Sequence, residues 1–574
     1  MIIPMTKYSF LLLSADKETF LDRLQDLGVV DITRSAKAVD DVSRGIVSEI
    51  EAIKADIKNI GSGSDARTES LKARRDELQR SLEEAAPWGE YDRERLKALG
   101  VKFYCISAKS FRKEWEESYA IQTVHETKDK IWFAIAGDSE GFPVKDIPLP
   151  QRKASEIRAE LDETVKALDE EKKQLESRIP EIPGLEKKVE DLYNSLNVYL
   201  AGVSGQSAAE DSLLIYQGFA PTSEDAKLKS EFDSMDVYYI AEKAVAADNP
   251  PIELKNNSFS KQFEVLTKMY GVPVYNEFDP TVFLSIFFLL FFAMCLGDAG
   301  YGLALIVIGF FLRRKKGGLA NMWSLIVSLG FGTLVVGLLM GGFFGVNLVE
   351  VPWIPDWMKK FMIVGDISVG NATYAKWMII SLMIGIVHIC LAMVTKAVWA
   401  VKRDGFKNSL GTLGWTLLIV GGIIGLSVGL TGVISEALMK WLLIGIAAVS
   451  ALGIFIFNKW GRNPLVNIGS GLWDTYNTAS GLISDVLSYI RLYALGLSGS
   501  MLASTFNQIA EMVKGPDPTW QWVPFVLILL FGHVLNLGLS CLGAFVHPLR
   551  LNFLEFFKNS GYEGAGVEYK PIKR

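Results

Sequence analysis

The sequence has no GxxxxGK[ST] motif that would hold a nucleotide phosphate. Its nearest glycine cluster, Gly297-Asp-Ala-Gly-Tyr-Gly302, has no lysine at the required place. The four cysteines, Cys105, Cys295, Cys390 and Cys541, lie far apart and form no CxxC pair. This spacing argues against a zinc or redox site. We therefore predict neither a catalytic site nor a cofactor nor a metal.

The first half of the chain lacks long apolar runs. Up to about Lys268 the sequence contains no uninterrupted apolar stretch of about 18 residues, the length that would suggest a membrane span. Acidic and basic residues alternate here, and the net charge of the whole chain is −6, so we expect no nucleic-acid partner. The N-terminus has no basic segment followed by a long apolar one and a cleavage site. We expect this half to be soluble and cytoplasmic.

Residues 1–270 are predicted to form an α+β cytoplasmic domain shaped like a dumbbell. Short strands and helices in 1–40 and 205–270 predict a lobe near the membrane, and those in 87–150 predict a distal lobe. Steps of four and three residues predict an antiparallel coiled-coil rod over 41–86 and 151–204, beginning with Ile46, Ile50, Ile53, Ile57 and Ile60. The rod either spaces the lobes or docks a partner.

Residues 271–574 predict an α-helical membrane domain with eight apolar segments. These are about 281–297, 299–312, 322–345, 377–400, 411–433, 439–458, 473–512 and 520–557. Basic clusters follow segments two, four and six and end the chain: Arg313 to Lys316; Lys402, Arg403 and Lys407; Lys459 and Arg462; Lys570, Lys573 and Arg574. With eight spans all four clusters fall on the side of the N-terminal domain. Cytoplasmic loops carry the Lys/Arg excess, so both termini are predicted to be cytoplasmic.

Segments seven and eight exceed the roughly 20 residues that a perpendicular span needs, so we expect both to tilt strongly. Each carries one polar stripe with helical spacing. The stripes are Ser484, Ser488, Arg491, Leu495 and Ser498 in segment seven, and Asn536, Ser540, Gly543, His547 and Arg550 in segment eight. We expect the stripes to face each other or an aqueous cleft.

Arg491 lies in the middle of an apolar span, where an arginine costs roughly 2.5–3.5 kcal/mol on insertion scales. A guanidinium stays charged at any accessible pH, so it acts as a fixed field and not as a proton carrier. Facing a passing carboxylate, that field would lower its pKa or its ion affinity and force release of the ion. It would also block a direct leak between two half-channels. The alternative is a structural arginine paired with Asp485 or with backbone carbonyls.

Arg550 lies closer to the cytoplasmic end, where it either joins the ion path or snorkels to the surface. His547 is either a relay or a packing residue. Pro548 is expected to kink the helix by removing a hydrogen bond to Ala544, which would open a notch beside Arg550. Glu555 is expected at the interface. The candidate half-channel lining is Ser484, Asp485, Ser488, Asn536, Ser540, His547 and Glu555.

Several runs of the sequence resemble the a/I subunit family of V-type and archaeal A-type ATPases. Ser484-Asp-Val-Leu-Ser-Tyr-Ile-Arg-Leu-Tyr-Ala-Leu-Gly-Leu497 is similar to its arginine helix, and Val546-His-Pro-Leu-Arg-Leu-Asn-Phe-Leu-Glu555 to its final helix. Shorter matches run through the chain in order: Gly218-Phe-Ala-Pro221, Phe263 to Gly271, Asp279-Pro-Thr281, Gly297 to Gly302, Phe343 to Asn347 and Glu568-Tyr-Lys-Pro571. Together these motifs are highly specific.

The resemblance implies a stator that does not itself hydrolyse ATP. Arg491 would face the carboxylate of a rotating proteolipid (c/K) ring, with Arg550 in support from the adjacent helix. The N-terminal domain would bind peripheral stalk subunits (E/G type), and a ring-cap subunit of the central stalk (d/C type) is a further expected partner, besides the lipid bilayer. The short chain favours a bacterial or archaeal member in the plasma membrane. The ion, H⁺ or Na⁺, and the direction of operation stay open.

The sequence departs from the eukaryotic members of that family at two places. They carry a histidine eight residues after the first arginine and a glutamate ten before the second, where this chain has Gly499 and Ser540. The half-channel would then be lined by Asp485, Ser488, Ser540, His547 or water.

Two other classes of function are alternatives to the stator. A secondary transporter could bind an anionic substrate through Arg491 and Arg550, but it would be expected to show paired inverted halves, and no such internal repeat is visible. A purely structural anchor leaves two costly intramembrane arginines unexplained.

Overall fold

A computed structural model describes the chain in thirteen stretches. They are 1–33, 40–91, 93–112, 114–137, 142–208, 213–235, 237–314, 322–352, 354–369, 372–430, 435–457, 464–514 and 522–573. Lys315, Lys316, Lys459, Arg462 and Arg574, from the predicted basic clusters, lie outside these stretches. The chain divides into two compact units, one formed by 1–33 with 204–574 and the other by 34–203.

The first unit begins with strand β1 (Met5–Leu13), helix α1 (Lys17–Leu27) and the short strand β2 (Asp31–Ile32). The sequence predicts a second strand from residue 28, but Gly28 ends α1 with a φ of 63°, a left-handed conformation that cannot extend a strand. Strand β2 is correspondingly shorter than predicted.

The second unit, 34–203, contains a long helical hairpin and a small sheet. Its elements are α2 (Asp41–Ser62), α3 (Ala66–Ala85), α4 (Arg93–Ala98), β3 (Lys102–Ser107), α5 (Glu114–Ser118), β4 (Ile121–Glu126), β5 (Lys130–Ile135), α6 (Ala154–Ser177) and α7 (Ile182–Val203). Helix α2 packs on α7 and α3 on α6. Glu49 pairs with Lys188 at 2.9 Å, and Arg74 pairs with Glu160 at 2.6 Å. Residue numbers rise from 49 to 74 along one arm, while those of the partners fall from 188 to 160 along the other. The two arms of this hairpin, α2 with α3 and α6 with α7, therefore run antiparallel, while the dumbbell arrangement stays a prediction.

The chain then returns to the first unit and completes its sheet. The elements are β6 (Gln206–Ala208), β7 (Leu213–Pro221), α8 (Asp225–Ser234) and β8 (Tyr238–Lys243). The strand order is β2-β7-β1-β8, every neighbouring pair being antiparallel, with β6 beside β7. The two predicted βαβ motifs therefore interlock, each with a strand of the other between its own strands, as in split βαβ folds.

The rest of the first unit is mainly helical. Its elements are α9 (Ser258–Lys261), α10 (Glu264–Tyr270), α11 (Thr281–Leu296), α12 (Ala299–Leu312), α13 (Trp323–Met340), β9 (Gly342–Phe343), β10 (Val346–Asn347), α14 (Asp356–Lys359), β11 (Asp366–Val369), β12 (Ala372–Ala375), α15 (Lys376–Asp404), α16 (Leu410–Thr416), α17 (Gly422–Leu430), α18 (Glu436–Ala451), α19 (Pro464–Ser488), α20 (Ile490–Lys514), α21 (Trp522–Arg550) and α22 (Phe557–Ser560). Wider π turns at 417–421, 452–456 and 551–556 continue α16, α18 and α21.

Six stretches of helix in the described part of the chain are long and apolar enough to cross a membrane. They are Trp323–Met340, Lys376–Asp404, Leu410–Gly429, Glu436–Ile456, Leu465–Val513 and Trp522–Ser560. Helices α11 and α12 are apolar but shorter. Leu284, Phe288 and Phe291 of α11 are completely buried, so this short helix lies inside the bundle and forms its core.

Candidate functional site

A break at Tyr489 separates α19 from α20 and positions Arg491. Around it two backbone hydrogen bonds span three residues, as in a 3₁₀ helix, and not four. They run from Tyr489 N to Val486 O and from Leu492 N to Tyr489 O, both at 3.1 Å. The Tyr489 ring is fully buried, and its hydroxyl lies 2.9 Å from His388 Nδ1 on α15. Tyr489 thus fixes the break against α15, and Arg491 follows in the first turn of α20.

The Arg491 guanidinium is partly buried and has no anionic partner in the described part of the chain. Its Nη1 atom is buried without any hydrogen-bond acceptor. Asp485, the alternative partner in the sequence, instead accepts from Asn559 Nδ2 at 2.8 Å and pairs with Lys558 Nζ at 3.6 Å. The ion pair between Arg491 and Asp485 is therefore not formed.

Arg550 ends α21 and is exposed. Pro548, two residues earlier, is buried inside the helix, and its carbonyl accepts from Asn552 Nδ2 at 2.9 Å in the π turn that follows. His547 lies close enough to Arg491 and Arg550 to feel both positive charges.

Buried polar atoms without partners gather along this stretch. Besides Arg491 Nη1 they are His547 Nδ1, Asn552 Oδ1 and Glu555 Oε2. Glu555 is only 4% exposed and lies beside the Ser488 hydroxyl, and its place at the membrane interface stays a prediction. Unsatisfied polar atoms that are buried point to water or to a partner group.

The two polar stripes face each other where α20 packs on α21. Asn536 Nδ2 donates to the carbonyl of Gly499 at 2.9 Å, and Ser540 Oγ donates to Asn536 Oδ1 at 3.1 Å. A Cβ atom placed on Gly499 would lie 3.1 Å from Ser540 Oγ. The two positions that depart from the eukaryotic pattern are therefore in direct contact.

This contact continues into a polar network that the sequence analysis missed. Asn536 Nδ2 also donates to Tyr301 Oη at 2.9 Å, and Tyr301 Oη lies 2.9 Å from His533 Nδ1. His533 Nε2 lies 3.0 Å from Asn507 Oδ1, and Asn507 Nδ2 donates to Phe344 O at 2.8 Å. One sequence signal was available: His533 lies one helical turn before Asn536, on the same stripe of α21.

Asp298 fixes Tyr301 in this network. Its carboxylate, 1% exposed, accepts from the backbone N–H groups of Gly300, Tyr301, Phe344 and Gly345 at 2.8–3.2 Å. The carboxylate thus supplies hydrogen-bond acceptors both to the backbone N–H groups at the N-terminus of α12 and to those in the turn between β9 and β10. The start of α12 is thereby joined to the segment that holds Asn507.

Two cavities lie along these helices, on either side of Arg491 in the chain. One of about 580 Å³ is lined by His533, Asn507 and Glu511 and by apolar residues of α21. The other, of about 310 Å³, is lined by Asp485, Asn477, Lys396, Lys558 and neighbours on α15, α16 and α22. Asn507 is 16 residues beyond Arg491, about 24 Å along a helix, and Asp485 six residues before it.

The remaining predicted residues are on the surface of this unit. Ser484 is exposed, and its carbonyl accepts from Ser488 Oγ at 3.1 Å. Among the described residues no group of three His, Cys, Asp or Glu side chains is arranged to hold a metal ion. The site is thus built from separate cationic, carboxylate, amide, hydroxyl and imidazole groups.

Comparison with known proteins matches the chain to one family. The sequence profile of the V-type ATPase 116 kDa subunit family matches residues 123–346. The A-type ATP synthase subunit I of Methanocaldococcus jannaschii is 28% identical over 92% of this chain and 78% of its own length. The V-type ATP synthase subunit I of Borreliella burgdorferi is 25% identical over the full length of both chains. The A-type ATP synthase subunit I of Pyrococcus abyssi is 32% identical over 57% of this chain and 48% of its own.

Proposed function

We propose that the chain belongs to the subunit a/I family of V/A-type ATPases, as its similarity to the subunits I named above indicates, and that it is the non-catalytic stator that carries ions past the proteolipid ring. The observation that carries the proposal is the unpartnered Nη1 of Arg491. A buried guanidinium N–H that lacks an acceptor costs free energy unless another molecule supplies one. A ring carboxylate would supply both an acceptor and a negative charge.

The permanent charge of Arg491 explains release of the ion. A guanidinium close to a carboxylate favours its ionised form, so an ion-loaded ring carboxylate that reaches Arg491 gives up its proton or Na⁺. Past Arg491 the carboxylate loads again from the other side. Arg550, which acts on the same His547, adds to the positive field from α21.

Two half-channels would lead to Arg491. The outer one follows Glu511, Asn507, His533, Tyr301, Asn536 and Ser540, from the 580 Å³ cavity towards α20. The inner one follows the unpartnered atoms of His547, Asn552 and Glu555 towards Ser488 and Asp485. Water bound to those atoms would complete their hydrogen bonds and conduct the ion.

The membrane arrangement is the eight-segment one, with α11 and α12 as the first pair and both termini in the cytoplasm of a prokaryotic cell. The basic residues Arg313, Arg314, Lys402 and Arg403 at the ends of α12 and α15 favour this orientation. Residues 1–270 would then be the cytoplasmic domain and 271–574 the ion-translocating domain.

The partners follow from this arrangement. The proteolipid (c/K) ring would meet α19 to α21, the peripheral stalk subunits (E/G type) would hold the cytoplasmic domain against torque, and the ring-cap subunit (d/C type) would lie next to it. The exposed charged surfaces of α2, α3, α6 and α7 offer the stalks a polar docking face.

Cysteine cross-linking in the assembled complex tests whether the face that carries Arg491 meets the ring. Leu487, 55% exposed one turn before Arg491, is replaced by Cys and paired with a Cys in the outer ring helix, in a background without the four native cysteines. Val387 on α15, 58% exposed, is the matched control. We expect a cross-link from Leu487→Cys that stops ATP hydrolysis from turning the ring, and none from Val387→Cys. The opposite pattern would refute the proposed interface.

A further inference from the structure

The 310 Å³ cavity between α15, α16, α19 and α22 shares Asp485 with the proposed inner half-channel, but its other polar groups are not part of that path. Asp485, Asn559 and Lys558 satisfy each other through a hydrogen bond and an ion pair. The lining also carries Lys396. Its ammonium has no hydrogen-bond or ion-pair partner within the described stretches, and its aliphatic stem packs against Gly561.

The charges in the cavity favour an anion. Lys396 and Lys558 contribute two positive charges and Asp485 one negative charge, so the lining is cationic overall. Asn477, Thr412 and Thr478 place further polar groups on the lining, and an amide and two hydroxyls can donate hydrogen bonds to oxygen atoms. Lys396 is exposed on an apolar helix, where an ammonium that faces lipid is costly without a counter-ion. A phosphate group satisfies several such donors at once.

The position of the cavity favours a lipid as the source of that phosphate. Lys396 precedes Lys402 at the end of α15 by six residues, about 9 Å along the helix. A lysine side chain at this depth reaches the level of the lipid headgroups. Trp415, Met393 and Leu482 line the cavity beside the polar groups, and Val394 and Val398 next to Lys396 are exposed, as lipid-facing residues are.

We infer that this cavity binds the phosphodiester headgroup of an anionic phospholipid of the cytoplasmic leaflet, with Lys396 as its principal cation. Basic pockets between membrane helices on that side are suited to such headgroups. Bound there, the lipid bridges α15, α16, α19 and the start of the C-terminal tail. The inference concerns a ligand, and it stands or falls separately from the role of Arg491.

Lipid retention by the purified, assembled complex tests this inference. The complex is delipidated, titrated with phosphatidylglycerol in neutral detergent, and the bound lipid is counted by native mass spectrometry. Lys396→Gln is expected to weaken retention about fivefold, the effect of one lysine near a lipid phosphate. Lys396→Arg, which keeps the charge, should retain the lipid. Lys402→Gln on the same helix is the matched control, because Lys402 lies over the Trp399 ring and outside the cavity.

Two further arms identify the source of the phosphate. Phosphatidylcholine, whose choline cation neutralises its phosphodiester, is expected to be retained more weakly than phosphatidylglycerol by wild type; equal retention of the two lipids would overturn the preference for an anionic lipid. Inorganic phosphate is expected not to displace phosphatidylglycerol; displacement would mean that the site takes free phosphate and would overturn the lipid assignment. Equal retention of phosphatidylglycerol by wild type and Lys396→Gln, with both complexes intact, would overturn the site itself.

Discussion

The phenolic oxygen of Tyr301 accepts a hydrogen bond from Asn536 Nδ2 at 2.9 Å and lies 2.9 Å from His533 Nδ1. Asn507 Oδ1 can only accept, so His533 Nε2 carries a ring proton and donates it there. In the neutral ring Nδ1 is then the acceptor, and the Tyr301 hydroxyl donates to it. The network thus fixes a neutral tautomer of His533 and joins α12, α20 and α21.

Replacing Tyr301 by Phe removes the hydroxyl at the centre of this network. Asn536, which is buried, loses an acceptor, and His533 Nδ1, which is partly buried, loses a donor. Leaving buried polar groups unsatisfied costs about 1–3 kcal/mol each. We expect a lower thermal unfolding midpoint and slower ATP-driven ion uptake. Tyr493→Phe is the control, since the Tyr493 hydroxyl forms no hydrogen bond within the described stretches of the chain. If Tyr301→Phe takes up ions as fast as wild type does, the network is not part of the outer half-channel.

Gly499 is expected to tolerate no larger residue while Ser540 faces it. A Cβ at Gly499 would approach Ser540 Oγ to 3.1 Å, closer than ordinary van der Waals contact. Gly499→Ala should therefore destabilise wild type more than it destabilises the Ser540→Ala background, with a coupling free energy of about 0.5–3 kcal/mol in a double-mutant cycle. Gly538→Ala is the control, because no atom lies within 4 Å of its added Cβ. A coupling of zero would show that the two helices do not pack as described.

Asp298 accepts four backbone N–H groups, which an amide side chain cannot do. Asp298→Asn turns one acceptor atom into a donor that faces backbone N–H groups, so buried donors lose their partner. We expect a loss of about 1–3 kcal/mol in the free energy of unfolding, measured by thermal denaturation in detergent. Asp356→Asn, on an exposed short helix, should change it little. Equal stability of the two variants would contradict the role given to Asp298.

The docking of the C-terminal tail is expected to weaken in acid. Burial opposes ionisation of Glu568, but hydrogen bonds from Lys268 at 2.6 Å and Lys570 at 3.2 Å prevail and lower the pKa of Glu568. A carboxylate with a lowered pKa contributes stability above its unfolded pKa of about 4.3, and this contribution is lost as the pH falls through the folded pKa. The backbone bond from Ile252 N to Val567 O, 2.7 Å, reports the docking.

Hydrogen exchange of the Ile252 amide, corrected for its intrinsic pH dependence, measures this effect. Protection should fall below about pH 4 in wild type. In Glu568→Gln it should be low and independent of pH. Glu563→Gln, a change at an exposed position of the same tail, should behave like wild type. Constant protection in wild type down to pH 3 would refute the ionic contribution.

The sequence predicts features that depend on helical spacing and misses those that depend on distant contacts. The facing stripes of α20 and α21 follow from the spacing of polar residues such as Ser540. The bond between Tyr301 and His533 joins residues 232 positions apart, and no local pattern predicts it. No local pattern predicts that Glu555 is buried, because the π turn at 551–556 changes the face that later residues present.

The same distinction applies to the sheet of the first unit. Strands β1 and β7 are predicted from their apolar residues, yet the insertion of each strand between two others depends on pairing across about 200 residues. Turn and strand signals are local, whereas strand order is set by the packing of the whole unit.

ATP-driven ion uptake into vesicles that contain the assembled complex tests the central claim most directly. Wild type is compared with Arg491→Ala and with Arg313→Ala, an arginine that lies over Trp323 at the end of α12, after a pull-down confirms equal assembly. The account predicts that uptake is lost in Arg491→Ala and kept in Arg313→Ala. Undiminished uptake by an intact Arg491→Ala complex would contradict it and make Arg491 a structural residue.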